Sequence, residues 1–346
     1  LLLSSRPMTR NLDYNIDYAD GTLYFKQPIA SKDANLNPVF IVVDYETRNN
    51  EVDALTWGGR GAVKIMEDSV EIGASYITQE RENGEDVLQG VDATVDLSNN
   101  TRMKLEYATS QNVDEPSREA WLAELRHNSS KLEGSLYYRE QEAGFGLGQQ
   151  SVVGSGTGII GADGRYHQSD YLDVVARVFR QTNLQTEAER DVLNTGVVYD
   201  ATHYGANAGL LLARDSFSDG TEKRSEQINL GAHRALLGNR LNLRINHYHS
   251  LSSNDNPDYP TRTLLGMDYR LSASTALFLE QEFTFGEERE TRGTRLGMKH
   301  QPWTGATLNT SLEQQSSEAG ERQFANAGLM QTWQVTEHWS LNASVD

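Results

Sequence analysis

The chain has no cysteine among its 346 residues. Disulfides and thiolate metal sites are excluded, and the absence suits an envelope or extracellular setting better than the cytosol. It also lacks any run of about 18 apolar residues, so no segment can cross a membrane as a helix. Crossing by strands stays open, because a transmembrane strand needs an apolar residue only at every second position. The hydrophobic content of 37 % is compatible with that pattern. Positive charge is in deficit: the formal net charge is −18, which argues against nucleic acid as a partner. Leu1-Leu2-Leu3 has no basic n-region, a full h-region or a cleavage site, so the chain reads as a piece of a longer precursor. Leu341–Asp346 stops in mid-strand rather than on a terminal Phe or Trp, so further strands are expected beyond it.

What the chain does have is a repeated alternation of short and long connections. Short polar turns fall near Glu67-Asp68, Ser98-Asn100, Asn128-Ser130, His167-Asp170, Ala201-His203, Gly238-Asn239, Ser272-Ser274, Trp303-Gly305 and Thr336-His338. They recur every 30 to 40 residues or so, room for two strands of about 10 residues and one longer loop. The longer polar segments are Gln79–Asp86, Gln111–Glu119, Gln141–Gly158, Thr182–Arg190, Ser216–Ser225, Ser250–Thr261, Gly286–Arg292 and Gln314–Arg322. Short turns at one end of the strands and long loops at the other predict an up-and-down antiparallel transmembrane β-barrel of the bacterial outer membrane, with about 18 strands in this chain.

Residues 51–346 form this predicted barrel. Each strand carries an apolar face, such as Val91, Ala93, Val95 and Leu97, and a polar one. The polar face supplies the predicted lumen lining: Asp92, Asp96, Lys104, Glu106, Glu124, Arg126, Asp173, Arg177, Arg244, Asp268, Arg270, Glu280, Glu282 and Glu313. A soluble sandwich would turn the same face to water. The length of the unbroken meander and the freedom with which Gly and Ala occur on the apolar face favour a closed barrel whose apolar face meets lipid. Aromatic residues gather near strand ends and predict an interfacial girdle: Tyr76, Tyr107, Tyr138, Tyr269, Phe283, Phe285, Trp303, Trp333 and Trp339.

Residues 1–50 read differently. Asn11–Tyr18 alternates, Ala19-Asp20-Gly21 is a turn, Thr22–Phe25 a second strand, and Val39–Tyr45 a third and the most apolar. These predict the C-terminal part of a β-sandwich module. The strand at Thr56–Met66 starts on the long-loop side, so Val39–Tyr45 is either a barrel strand itself or part of a module displayed outside.

Chemical motifs are sparse. Gly156-Thr157-Gly158-Ile159-Ile160-Gly161 matches a dinucleotide fingerprint, but no apolar strand precedes it and no helix follows. His247 and His249 share a face with Leu241, Leu243 and Ile245 and read as interfacial histidines rather than metal ligands. Glu280 and Glu282 are neighbours along one wall and do not face each other across a substrate. No catalytic residue, metal site or cofactor is predicted.

Two stretches carry a resemblance. Asp13–Leu23 with Pro38–Tyr45 resembles a β-module found before an outer-membrane barrel in large proteobacterial surface proteins, and Tyr138–Phe145 resembles a segment of that barrel. The resemblance implies an outer-membrane anchor or pore with no defined substrate. The expected partners are outer-membrane lipid and lipopolysaccharide, and other envelope proteins through the N-terminal module. The leading expectation is a pore for solutes or an exported polymer, with weak cation preference. The alternative is a membrane anchor that displays β-modules for adhesion or assembly.

Overall fold

The computed structural model describes residues 8, 14–17, 22–25, 41–43 and 55–345, apart from 82–83, 114–115, 148–155, 253–258, 287–289, 318–319, 335 and 337–338. All regular structure among these is β. The chain divides into two compact units, one of Ser31–Val198 with Gly209–Glu226, the other of Leu1–Ala30, Tyr199–Ala208 and Gln227–Asp346.

The first unit contains β3 (Thr56–Ile65), β4 (Val70–Arg81), β5 (Gly84–Ser98), β6 (Thr101–Gln111), β7 (Arg118–Asn128), β8 (Leu132–Gln141), β9 (Thr157–Ser169) and β10 (Leu172–Asn183). The second contains the short pair β1 (Tyr14–Asp17) and β2 (Thr22–Phe25). It also holds β14 (Leu241–Ser250), β15 (Thr261–Arg270), β16 (Thr275–Phe285), β17 (Thr291–His300), β18 (Ala306–Ser317), β19 (Gly320–Gln334) and β20 (Ser340–Val345). Strands β11 (Glu189–Asp200), β12 (Tyr204–Ser216) and β13 (Glu222–Leu236) contribute to both. Strands β3 to β20 pair with their neighbours in chain order and form a closed barrel, while β1 and β2 make a separate two-stranded sheet. The eighteen strands are antiparallel and up-and-down, as the meander predicts.

Eight of the nine short turns fall where the polar dipeptides place them, and the ninth, at Thr336–His338, lies largely outside the described residues. Met66, Glu67 and Asp68 turn the chain with φ of 53°, 54° and 66°, and Leu237, Gly238 and Asn239 with 53°, 62° and 65°. Three successive left-handed residues are costly, and Asp, Gly and Asn bear that conformation best. Strand β3 therefore begins on the long-loop side.

Two expectations change. Gln79–Asp86 and Gln314–Arg322 are mostly strand, because β4 runs to Arg81, β5 starts at Gly84, β18 runs to Ser317 and β19 starts at Gly320. Their cross-strand pairing, Gln79 with Asp86 and Gln314 with Gln323, satisfies the backbone however polar the side chains are. The second change concerns Val39–Tyr45. Its described part, Ile41–Val43, is not in a strand, and all three side chains are exposed. Local β-propensity without a partner strand does not make a strand. Among the described residues of 1–50, only the β1–β2 hairpin is regular, with Tyr14 against Phe25 at a ring separation of 6.0 Å.

The distribution of apolar side chains is inverted relative to a water-soluble protein. Trp57, Val63, Ile72, Val91, Leu105, Trp121, Leu136, Ile160, Val178, Leu230, Leu265, Leu296 and Leu312 are exposed, one or more per strand on alternate positions. Large contiguous apolar exposure needs a cover, and for a closed barrel that cover is hydrocarbon.

Outside the wall, the β12–β13 turn is held by Asp219, whose Oδ1 accepts hydrogen bonds from Thr221 Oγ1 at 2.6 Å and Thr221 N at 2.8 Å. The Thr221 side chain and then its backbone amide hold the carboxyl below its usual range. A lowered carboxyl pKa stabilises the turn above its ordinary value, near about 4, and that contribution fades as pH falls through the lowered one. The protection factor of the Thr221 amide, its exchange rate referred to that of an unstructured chain at the same pH, is expected to fall below about pH 4 in the native chain. In Asp219→Ala it is expected to be low at every pH.

Candidate functional site

The candidate site is the polar face of the strands. In the first unit, Arg60 of β3 reaches two neighbours: its Nη2 lies 2.9 Å from Glu71 Oε1 of β4 and 2.6 Å from Asp92 Oδ2 of β5. Arg102 Nε lies 2.6 Å from Asp96 Oδ1, Lys104 Nζ 2.5 Å from Glu106 Oε1, and Arg126 Nη2 2.5 Å from Glu124 Oε1. Glu124 also has Arg139 at 3.9 Å. Asp173 accepts from Arg165 Nη1 at 3.3 Å and approaches His167 Nδ1 at 2.7 Å.

The second unit repeats the pattern. Arg244 of β14 pairs with Asp268 of β15 and, through Nη2 at 2.8 Å, with Glu280 of β16. Glu280 has Arg295 of β17 at 3.6 Å, and Arg262 Nε lies 2.6 Å from Glu282 Oε1. Glu313 stands opposite Arg295 in the β17–β18 register.

All fourteen predicted lining residues therefore sit on the face opposite the exposed apolar side chains, and most of them take part in ion pairs. Arg177 stands opposite Asp163, and Arg270 opposite Ala276. Sequence reading missed the partners Arg60, Glu71, Arg102, Arg139, Arg165, Arg262 and Arg295. Each stands at the opposite parity to the exposed apolar residues of its strand, so alternation alone could have found them. The pairing could not be found that way, because Arg60 and Asp92 are 32 residues apart.

These pairs are partly exposed. Such contacts contribute about 0.2–1 kcal/mol each, so they do little to hold the sheet together. Their chief effect is to match each fixed charge with its opposite close by.

Glycine shapes the same face. A Cβ at Gly73 would strike the Arg60 guanidinium, one at Gly266 the Arg244 side chain, and one at Gly297 the Phe278 ring. Gly266 is the cross-strand partner of Arg244, and Gly297 of Phe278. The missing side chains leave niches in which their large neighbours lie flat along the wall.

On the apolar face the aromatic residues fall into two tiers. In the first unit Trp57, Tyr76, Tyr107, Trp121 and Tyr138 lie toward the long-loop end, with Trp57 against Tyr76 at 5.6 Å and Tyr107 against Trp121 at 4.2 Å. Tyr166 and Tyr171 lie toward the short turns. In the second unit Phe283 and Phe285 stack at 6.5 Å near the long-loop end, while Tyr199, Tyr204, Tyr269, Trp303, Trp333 and Trp339 border the short turns.

Other sequence motifs resolve simply. Gly156 precedes β9 and Gly158 and Gly161 lie within it, so the glycine motif opens a strand. His247 and His249 stack at 5.8 Å, and His247 Nδ1 lies 2.8 Å from Thr263 Oγ1. No group of three metal-binding side chains occurs among the described residues.

No protein-family model matches the sequence, and no curated protein does. Solved structures do resemble the fold. The FrpB iron transporter from Neisseria meningitidis is similar over 81 % of this chain, with a TM-score of 0.51 at 9 % identity. The copper transporter OprC is similar over 80 % of it, with a TM-score of 0.53 at 11 % identity. The chain spans 65 % and 61 % of the lengths of those two proteins.

Replacing Gly266 or Gly297 by Val is expected to force Arg244 or Phe278 off the wall, costing about 1–3 kcal/mol as overpacking does. The check is the temperature at which the barrel loses its compact, heat-modifiable form on a gel. Gly59→Val, on the open face, is the control and is expected to change little, because nothing lies within 4 Å of a Cβ there. The architecture is that of an outer-membrane β-barrel.

Proposed function

We propose that this barrel is a pore in the outer membrane of a Gram-negative cell, passing small solutes through a lumen lined by the charge-paired face. The single observation that carries the reading is the flat, ion-paired wall. Eighteen strands enclose enough width for water, and side chains lying in glycine niches keep that width free. The likeness to transporter barrels supports the architecture; the cargo is inferred from the wall alone.

A wall of matched charges discriminates weakly between ions. The carboxylates and the cationic side chains named on the face are nearly equal in number, so the pore is expected to favour neither sign strongly. The function proposed is passage.

The second reading is an anchor for extracytoplasmic β-modules. The β1–β2 hairpin, which stands outside the barrel's strand order, favours it, as does the resemblance of Asp13–Leu23 to a module of large surface proteins. In this reading the barrel serves adhesion or assembly with a partner protein, and an exported polymer remains an alternative cargo of the pore.

Conductance in a planar bilayer separates the readings. A pore of this strand number is expected to give steps on the order of a nanosiemens. A folded, heat-modifiable barrel that stays silent would overturn the pore and leave the anchor. Arg244→Leu removes the cation between Asp268 and Glu280 and is expected to shift the reversal potential toward greater cation selectivity. Glu280→Gln is expected to shift it the other way.

A further inference from the structure

Strands β10 to β13 depart from the pattern of the outer wall. On β3, β4, β6, β7 and β8 the apolar face ends in Trp or Tyr toward the long loops, as described above. At the corresponding height β10, β12 and β13 present Arg180, Arg214 and Arg224, all exposed, with side-chain exposures of 50 %, 48 % and 73 %. They border a groove of about 600 Å³, whose floor includes Ile160, Val178, Leu193 and Leu212.

The arginines are held unequally. Asp191 grips Arg180 through two hydrogen bonds, Nε to Oδ1 at 2.7 Å and Nη2 to Oδ2 at 2.9 Å. Arg214 pairs with Glu222. Arg224 shares that same carboxylate at 3.8 Å, beyond hydrogen-bond distance. Two guanidiniums on one carboxylate leave several N–H donors without an anion, since each guanidinium carries five. Glu226 lines the groove as well and Glu189 lies 3.6 Å from Arg180, so a bare anion meets opposing charge and the apolar floor has to contribute to binding.

We infer that this groove binds a phosphate-bearing lipid of the outer leaflet, its acyl chains on the apolar floor and its phosphate between Arg214 and Arg224. Guanidinium groups match phosphate oxygens bidentately and are more weakly hydrated than ammonium, which suits a site at the lipid–water boundary. An aromatic tier anchors a barrel to any lipid interface, whereas an arginine tier over an apolar groove selects a headgroup. The inference rests on the membrane reading, with the long loops on the outer side, but not on the lumen being open.

The test uses the refolded full chain in detergent, titrated with bis-phosphorylated lipid A and followed by native mass spectrometry. The double variant Arg214→Gln/Arg224→Gln is expected to bind at least about tenfold more weakly, the loss of two charge-assisted contacts. Dephosphorylated lipid A is expected to bind the native chain as weakly as that variant binds the phosphorylated lipid. Millimolar inorganic phosphate is expected not to compete. Equal binding by the variant, or by the dephosphorylated lipid, overturns the proposal. Free phosphate displacing the lipid does so as well, because the site would then be a plain anion site. Heat-modifiable migration of the variant guards against misfolding. Its bilayer conductance is expected to match the native chain, so failure of the pore reading and failure of this one register separately.

Discussion

Backbone hydrogen bonding is the constraint from which this structure follows. A strand in hydrocarbon has no water to satisfy its N–H and C=O groups, and each unsatisfied group costs several kcal/mol. A sheet that closes on itself meets that demand, and β3 to β20 do so in chain order. Once the ladder is closed, side chains no longer have to supply cohesion. That freedom explains why apolar groups lie exposed on one face and why weak, half-exposed ion pairs suffice on the other.

Much of this was legible in the sequence because it depends on a period of two. Val91, Ala93, Val95 and Leu97 mark one face of β5, and Asp92 and Asp96 then belong to the other. The turns were equally local, since residues such as Asp68 and Asn239 tolerate left-handed backbone wherever they occur. What the sequence hid is what needs register. Nothing near Gly266 in the chain says that Arg244 will lie over it, because the contact exists only once β14 and β15 are paired. The same holds for Arg60, whose two acidic partners come from two different strands.

Polarity misled where it was taken as a sign of loop. Gln79–Asp86 and Gln314–Arg322 are rich in charge and amide, yet the ladder runs through both almost to the hairpin tip. A strand that leaves the hydrocarbon has no further need of apolar residues on either face, so its sequence becomes indistinguishable from a loop. The opposite difference falls within Val39–Tyr45, where the described part, Ile41–Val43, is apolar and β-branched and yet is not in a strand.

The ion pairing of the wall also bears on the water it would enclose. A lumen ringed by unbalanced charge fills with mobile counterions and carries current even when the surrounding solution is dilute. Here many carboxylates have a tethered counterion close by, as Asp92 and Glu71 share Arg60 and Glu282 has Arg262. The water inside such a wall would borrow its ions from the bulk. Its conductivity would rise and fall in proportion to the salinity outside, and the barrel would act as a passive sampler of its surroundings rather than an ion reservoir.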